Sequence, residues 1–159
     1  MRRKDREVTD REEIEEILLR CKTCHVAMVD NGSPYVIPLS FGFRFISNKL
    51  ELYFHSAFEG RKIDILKKNN KVCFELSYEG EYVFPDVPCR SGYYYGSVIG
   101  NGEVFFITDL EDKCEALSII FKHQTERDVV FNEDQAISVC VYKIVSSDFI
   151  GKKKPKPAT

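Results

Sequence analysis

Between Leu50 and Leu66 the apolar pattern changes period, and that change limits what the chain around it can be. Leu50, Leu52 and Phe54 alternate with Glu51, Tyr53 and His55, the two-residue period of a half-buried strand. From Arg61 the spacing turns helical: Ile63 and Leu66 share a face, and Lys67 and Lys68 close the run, where the helix dipole favours cations. The strand hands over to the helix through Ser56-Ala57-Phe58-Glu59-Gly60-Arg61-Lys62. That junction offers a hydroxyl, a permissive backbone, a forked guanidinium and an ammonium near a helix amino terminus, the parts of a phosphate site. On chemistry alone this reading stands level with a plain turn capped by serine and flanked by two solvated bases.

The other segments place this junction in a small antiparallel barrel. Thr9 with Glu12 predicts a capping box opening a helix whose inner face carries Ile14, Ile17, Leu18 and Cys21 and which ends near Arg20 or Lys22. Asn31-Gly32 between Val26–Val29 and Tyr35–Leu39 predicts a hairpin. Its second strand continues to Phe45, and Pro38 marks it as an edge or a bulge with backbone free to face a ligand. Ser47-Asn48 turns into the strand at 50–55, Val72, Phe74 and Leu76 alternate in another, and a long polar connection spans Glu79 to Gly92. Tyr93 to Phe106 reads as a strand bent by glycines, as at a barrel corner. Thr108 with Glu111 predicts a second capping box, opening a helix to about His123 with Leu110, Cys114, Leu117 and Phe121 inside; Ala136 to Val145 is the last strand. Strands dominate and helices lie outside, so the class is mainly β, of α+β type.

At 159 residues one domain is expected, over 1–151, with 152–159 as a disordered basic tail. The 23 basic and 25 acidic residues set up no global field, which argues against nucleic acid or an anionic membrane as partner. No apolar run reaches membrane length. Six cysteines without an apolar leader near Met1 point to a reducing, cytoplasmic setting.

Cys21-Lys22-Thr23-Cys24-His25 has the form of a haem c attachment motif. Such attachment ordinarily needs export, the pair sits at a helix carboxyl end where the dipole disfavours a thiolate, and a zinc site would need a further ligand such as Cys73 or Cys89. Packing cysteines and no metal are therefore expected. Gly100-Asn101-Gly102 runs into a strand rather than opening a helix, so it is not a dinucleotide loop. In the tyrosine run, Tyr94 is read as core and Tyr95 as a ligand contact. His55, beside the junction and facing away from Leu52 and Phe54, is a candidate catalytic or ligand-contacting residue.

Three stretches together resemble the pyridoxamine phosphate oxidase-like split-barrel flavoproteins, in particular their nitroimidazole-resistance branch. They are His55-Ser56-Ala57 with Gly60-Arg61-Lys62, Pro38-Leu39-Ser40-Phe41-Gly42, and Tyr95 with Ser97-Val98-Ile99-Gly100. The chain departs from that pattern with Asn101 where an aromatic is usual and with His25-Val26 in place of Gly-Arg. The resemblance, from about Arg2 to Val145, implies an antiparallel six-stranded split β-barrel with peripheral helices. It implies FMN, with FAD as an alternative, at the interfaces of a homodimer. The junction (Ser56, Ala57, Gly60, Arg61, Lys62) would wrap the phosphate, and Pro38, Leu39, Ser40 and Phe41 would lie by the ring, with His55, Tyr95, Ser97 and Val98 as further contacts. The implied activity is an oxidoreductase passing electrons from NAD(P)H to a small flat acceptor such as a nitroaromatic. A true pyridoxamine phosphate oxidase, a non-catalytic flavin or haem carrier or sensor, and a phosphate-binding structural module are the alternatives.

Overall fold

The computed structural model describes residues 2–154, apart from the side chain of Arg90. In chain order the elements are β1 (Glu7–Val8), α1 (Arg11–Arg20), β2 (Thr23–Asp30), β3 (Ser33–Ser40), β4 (Gly42–Ile46), β5 (Lys49–Ser56), α2 (Arg61–Lys68), β6 (Lys71–Val83), β7 (Gly92–Ile107), α3 (Leu110–Thr125), α4 (Glu133–Ile137) and β8 (Cys140–Lys154). All the ladders are antiparallel, in the order β3-β2-β6-β7-β8-β5-β4 with β1 on β8. The two ends of that path, β3 and β4, are consecutive in the chain and separated only by Phe41. The sheet therefore curls until its edges are joined by chain but not by hydrogen bonds, which is a split barrel. Pro34 and Pro38 sit on the β3 edge, where a missing donor breaks no ladder. The six strands expected from sequence are all present. Eight result because the second breaks at Phe41 and because Glu7–Val8 adds a short one.

Both predicted hairpins have two central residues in the left-handed region, Asn31 and Gly32 (φ 49° and 86°) and Ser47 and Asn48 (φ 47° and 65°), matching the twist of the strands they join. Glycines also shape β7. A Cβ at Gly102 would meet Ile144 Cγ2 at 2.6 Å, and the β7–β8 register shifts between Asn101 and Glu103.

Several local expectations need correction. The first-turn amides of α1 and α3 are capped by Asp10 and Asp109, not by Thr9 and Thr108; each carboxylate accepts the third amide on, from Glu13 and Asp112, at 3.1 Å. A carboxylate outcompetes the neighbouring hydroxyl because the helix dipole favours negative charge there. α3 buries Lys113, Ala116, Leu117 and Ile120 rather than Leu110, Cys114 and Phe121, because it lies directly on Gly42, where a Cβ would come within 2.7 Å of the Ile119–Ile120 backbone. That helix covers the supposedly open face of β5, so Glu51 and Tyr53 are buried (6% and 2% exposed) and only His55 emerges. β6 continues past a bulge to Val83, which pairs with Gly92, so the long connection shrinks to 84–91. Ala136 belongs to α4, and β8 runs from Cys140 through Lys152, Lys153 and Lys154, residues expected in the tail. The remainder of that tail, 155–159, lies outside the described residues. No helix among the described residues is long and apolar enough to cross a membrane.

The main core fills the barrel, with Phe54, Phe74, Leu52 and Leu76 at its centre. A smaller cluster of Tyr53, Leu117, Ile120, Ala136 and Val141 ties α3 and α4 to β5 and β8. This second layer positions the site.

Candidate functional site

The strand β5 ends at Ser56, and the chain turns into α2 through Gly60, whose φ of 128° and open surroundings suit glycine alone. No side chain caps α2. The amides of Ile63 and Asp64 bond to Gly60 O at 2.9 and 3.1 Å, which leaves the Arg61 and Lys62 amides without helical partners. Beside them the Arg61 guanidinium is held by Asp30 Oδ2, 3.0 Å from Nε, and lies 4.3 Å over the Tyr35 ring. The Lys62 side chain is half-buried and makes no ion pair among the described residues. Ser56 Oγ donates to Ala57 O at 2.8 Å. Uncapped amides, a fixed guanidinium with its Nη atoms available and a lone ammonium fit a phosphate group such as the terminal phosphate of FMN.

Next to this turn, His55 and Ser40 face a cleft of about 610 Å³ whose far wall is α3 and the segment through α4. Leu117, Ile120, Phe121 and Phe131 make that wall apolar, and Gln124 and Gln135 add two amides. Both amides are oriented by the fold. Gln124 Nε2 donates to Phe41 O (2.8 Å) and Lys22 O (3.1 Å), leaving Oε1 free to accept. Gln135 Oε1 accepts from the Asn132 amide (3.1 Å) in a capping box, leaving its Nε2 free to donate. His55 has no hydrogen-bond partner among the described residues, and apart from its imidazole no ionisable side chain lines the cleft.

The other residues singled out from sequence divide between two places. Pro38 and Leu39 lie on β3 beside Ser40, Pro38 exposed and Leu39 half-buried on the core. Phe41 is fully buried, its ring 4.5 Å from that of His123 and its carbonyl taken by Gln124. Val98 is likewise fully buried, in ladders with Leu76 and Gly151, and supports the strand from the core side. Tyr95 and Ser97 line a second cleft, of about 770 Å³. Since β7 is three ladder steps from β3, they stand roughly 14 Å from the Ser40 group at the usual strand spacing. One chain thus brings His55 and Ser40 to one cleft, holds Arg61 toward the other end of β3 on Asp30 and Tyr35, and sets Tyr95 and Ser97 in the second cleft.

Cys21 and Cys24 are buried in the barrel core, and burial pushes the Cys21 thiol up to about 12 and that of Cys24 higher still. His25, next on the strand, points the other way, with Nδ1 3.2 Å from Glu75 Oε2. The motif's residues therefore do not converge. Sequence reasoning missed Gln124, Gln135, Phe121 and Phe131, which reach the site only because α3 and α4 fold over β5. The Asn132-x-x-Gln135 capping box was the one local cue.

Comparison with known proteins bears on the whole chain. The family model for pyridoxamine 5′-phosphate oxidase matches residues 10–153. A crystal structure of a candidate 5-nitroimidazole antibiotic resistance protein from Bacteroides thetaiotaomicron is 34% identical over 92% of this chain and 85% of that one, with a TM-score of 0.78. The flavocytochrome Anf3 from Azotobacter vinelandii (21% identity, 99% and 73% coverage) and an FAD- and haem-binding protein from Mycobacterium smegmatis (17%, 96% and 77%) share the fold, each with a TM-score of 0.77. The curated proteins give no match. With the split barrel and the family match agreeing over nearly its full described length, the chain belongs to the pyridoxamine 5′-phosphate oxidase family.

Proposed function

We propose that the protein is an FMN-dependent reductase that takes electrons from NAD(P)H and delivers them to a small, flat, uncharged acceptor of the nitroimidazole kind. The observation that carries this reading is the uncapped α2 terminus with Arg61 and Lys62, which the chain reaches through the Ser56–Gly60 turn directly after His55 of the cleft. A phosphate site beside a cleft for a second molecule is what a flavin reductase requires. The similarity to the Bacteroides protein supports the acceptor class.

Bound FMN would supply reversible two-electron chemistry. The chain's own work is position, exclusion of water and proton handling. Arg61 and the free amides of α2 hold the phosphate, and Lys62 adds a point charge. Phe121 and Phe131, packed edge to face at 5.9 Å, shield one side of the cleft. Gln124 Oε1 and Gln135 Nε2 present one acceptor and one donor to a flat heterocycle. His55, unpartnered at the mouth, is placed to hold a proton for the acceptor as it is reduced. The cleft has no cation to neutralise a substrate phosphate, which favours a neutral acceptor over pyridoxamine phosphate.

Two further features support a homodimer. Val29, Val36, Ile99 and Phe105 are each about half exposed (51%, 56%, 49% and 46%) on β2, β3 and β7, a broad apolar surface for a monomer. The separation of Tyr95 and Ser97 from the turn is also accounted for if they serve the flavin held by the partner subunit.

The test is the absorbance spectrum of the purified protein with mass analysis of what it releases on denaturation. A yellow protein releasing FMN and oxidising NAD(P)H with a nitroimidazole as acceptor is expected, with His55→Ala lowering turnover about a hundredfold at unchanged flavin content. A colourless protein that takes up no added flavin, or a haem spectrum, would contradict the reading.

A further inference from the structure

Beyond Tyr95 and Ser97, which the flavin reading uses, the second cleft carries cations and aromatics to which that reading gives no role. On its floor, Tyr95 stands between Glu79 of β6 and Lys154 of β8, and Ser97 between Ser77 and Lys152. Arg6, from the turn before β1, reaches in and donates from Nη1 to Tyr95 Oη at 3.5 Å. Lys152 Nζ lies 5.6 Å from the centre of the Tyr95 ring, and Lys154 Nζ the same distance from that of Tyr94. Among the described residues none of these three cations makes an ion pair. The acids lining the cleft are Glu75, engaged by His25, and the exposed Glu79.

Three cations gathered on one sheet face, none of them ion-paired among the described residues, repel one another unless an anion joins them. Among the described residues, Arg6 and Lys152 converge on the phenol oxygen of Tyr95. Burial opposes its ionisation, yet hydrogen bonds from Arg6 and Lys152 hold the Tyr95 hydroxyl below its ordinary value, so the local field already favours negative charge. At the rim, Tyr93 (43% exposed) packs edge to face on Tyr82 at 4.8 Å, and Tyr82 on Phe84 (84% exposed) at 4.5 Å. Exposed aromatics beside an anion site suit a planar base. The volume, about 770 Å³, is in the range of small-molecule sites.

We propose that this cleft binds a nucleoside diphosphate group, with the phosphates on Arg6, Lys152 and Lys154 and the base against Tyr93 and Tyr82. The group is either part of a visiting dinucleotide or the adenylate end of a bound flavin. Its role as the docking point of the electron donor rests on the proposed flavin reductase activity; the binding itself does not.

The probe is ADP, titrated into flavin-loaded protein by calorimetry, with adenosine and pyridoxamine phosphate in parallel. ADP binds, and adenosine binds at least tenfold more weakly. Arg6→Ala and Lys154→Ala, both outside the flavin turn, each weaken ADP about tenfold or more, as the loss of one charge-assisted contact implies, while the unfolding midpoint and the affinity for FMN, which has no adenylate, stay the same. Repeating the titration on Arg61→Ala protein without flavin separates the two readings, because ADP binding persists there even if no flavin is ever taken up. FAD binding more tightly than FMN, by a margin that Lys154→Ala removes, assigns the diphosphate to the flavin; ADP binding to FMN-loaded protein in competition with NADPH assigns it to the donor. No ADP binding in any form, ADP binding indifferent to both substitutions, or tighter binding of pyridoxamine phosphate than of ADP overturns the proposal.

Discussion

Asp30 and Arg61 are joined by an ion pair of 3.0 Å, so the loop end of the β2–β3 hairpin fixes the guanidinium at the amino terminus of α2. Asp30 uses Nε, the Tyr35 ring supports one face at 4.3 Å, and the Nη atoms remain available to a phosphate. The Arg61 side chain is 59% exposed, and an ion pair so placed adds little to stability. Its effect falls on the orientation of Arg61. Asp30→Ala is expected to leave the unfolding midpoint within a degree or so and to weaken FMN about three- to tenfold, read by fluorescence titration. Unchanged FMN affinity would mean that Arg61 needs no orienting.

That link also marks the boundary of what the sequence conveys. The junction from Ser56 to Lys62, both hairpins and the six longer strands, though not the short β1 or the break at Phe41, were legible, because strand alternation and Asn-Gly turns are local signals. Asp30 was visible only as a turn residue; nothing in one dimension pairs it with Arg61. The covering of Glu51 and Tyr53 was hidden for a similar reason. Alternation predicts one open face, and only the close approach of α3 at Gly42 closes it. The caps at Asp10 and Asp109 were misplaced by one residue because adjacent Thr and Asp compete for one role. Gln124 and Gln135 reach the site through two helices whose docking is a tertiary matter.

The buried carboxylate beneath α3 makes acid sensitivity predictable. Glu51 accepts from Lys143 Nζ at 2.8 Å, from Arg44 Nε at 3.4 Å and from the Tyr53 hydroxyl. Burial alone would raise its pKa, but hydrogen bonds from Lys143, Tyr53 and Arg44, with the Lys143 charge, hold it below the ordinary 4.5. A carboxylate depressed in the folded state stabilises fully above its unfolded value and loses that contribution as pH falls through the folded one. Glu51→Gln is expected to cost about 3 kcal/mol near neutrality, with the gap to wild type narrowing below about pH 4.5 in urea unfolding curves. A gap constant with pH would contradict the account.

Thiol reactivity separates packing cysteines from chemical ones. Cys21 and Cys24 are 1% and 0% exposed, and their thiols are raised by burial; Cys89 is exposed. Only a thiolate attacks an alkylating reagent. Iodoacetamide on the native protein should label Cys89 and spare Cys21 and Cys24 until the protein is unfolded, as peptide mass mapping would show. Early labelling of Cys21 or Cys24 would return the motif to consideration as a reactive pair.

The central claim is that the turn between β5 and α2 holds the phosphate of FMN, and a pair of titrations tests it most directly. Wild type and Arg61→Ala are each titrated with FMN and with riboflavin, which lacks the phosphate. A hydrogen bond to a charged group contributes about 1.5 to 3 kcal/mol, so Arg61→Ala should weaken FMN roughly ten- to a hundredfold and leave riboflavin nearly unchanged. Equal weakening of both ligands, or of neither, would show that Arg61 does not hold the phosphate and that the turn is only a turn.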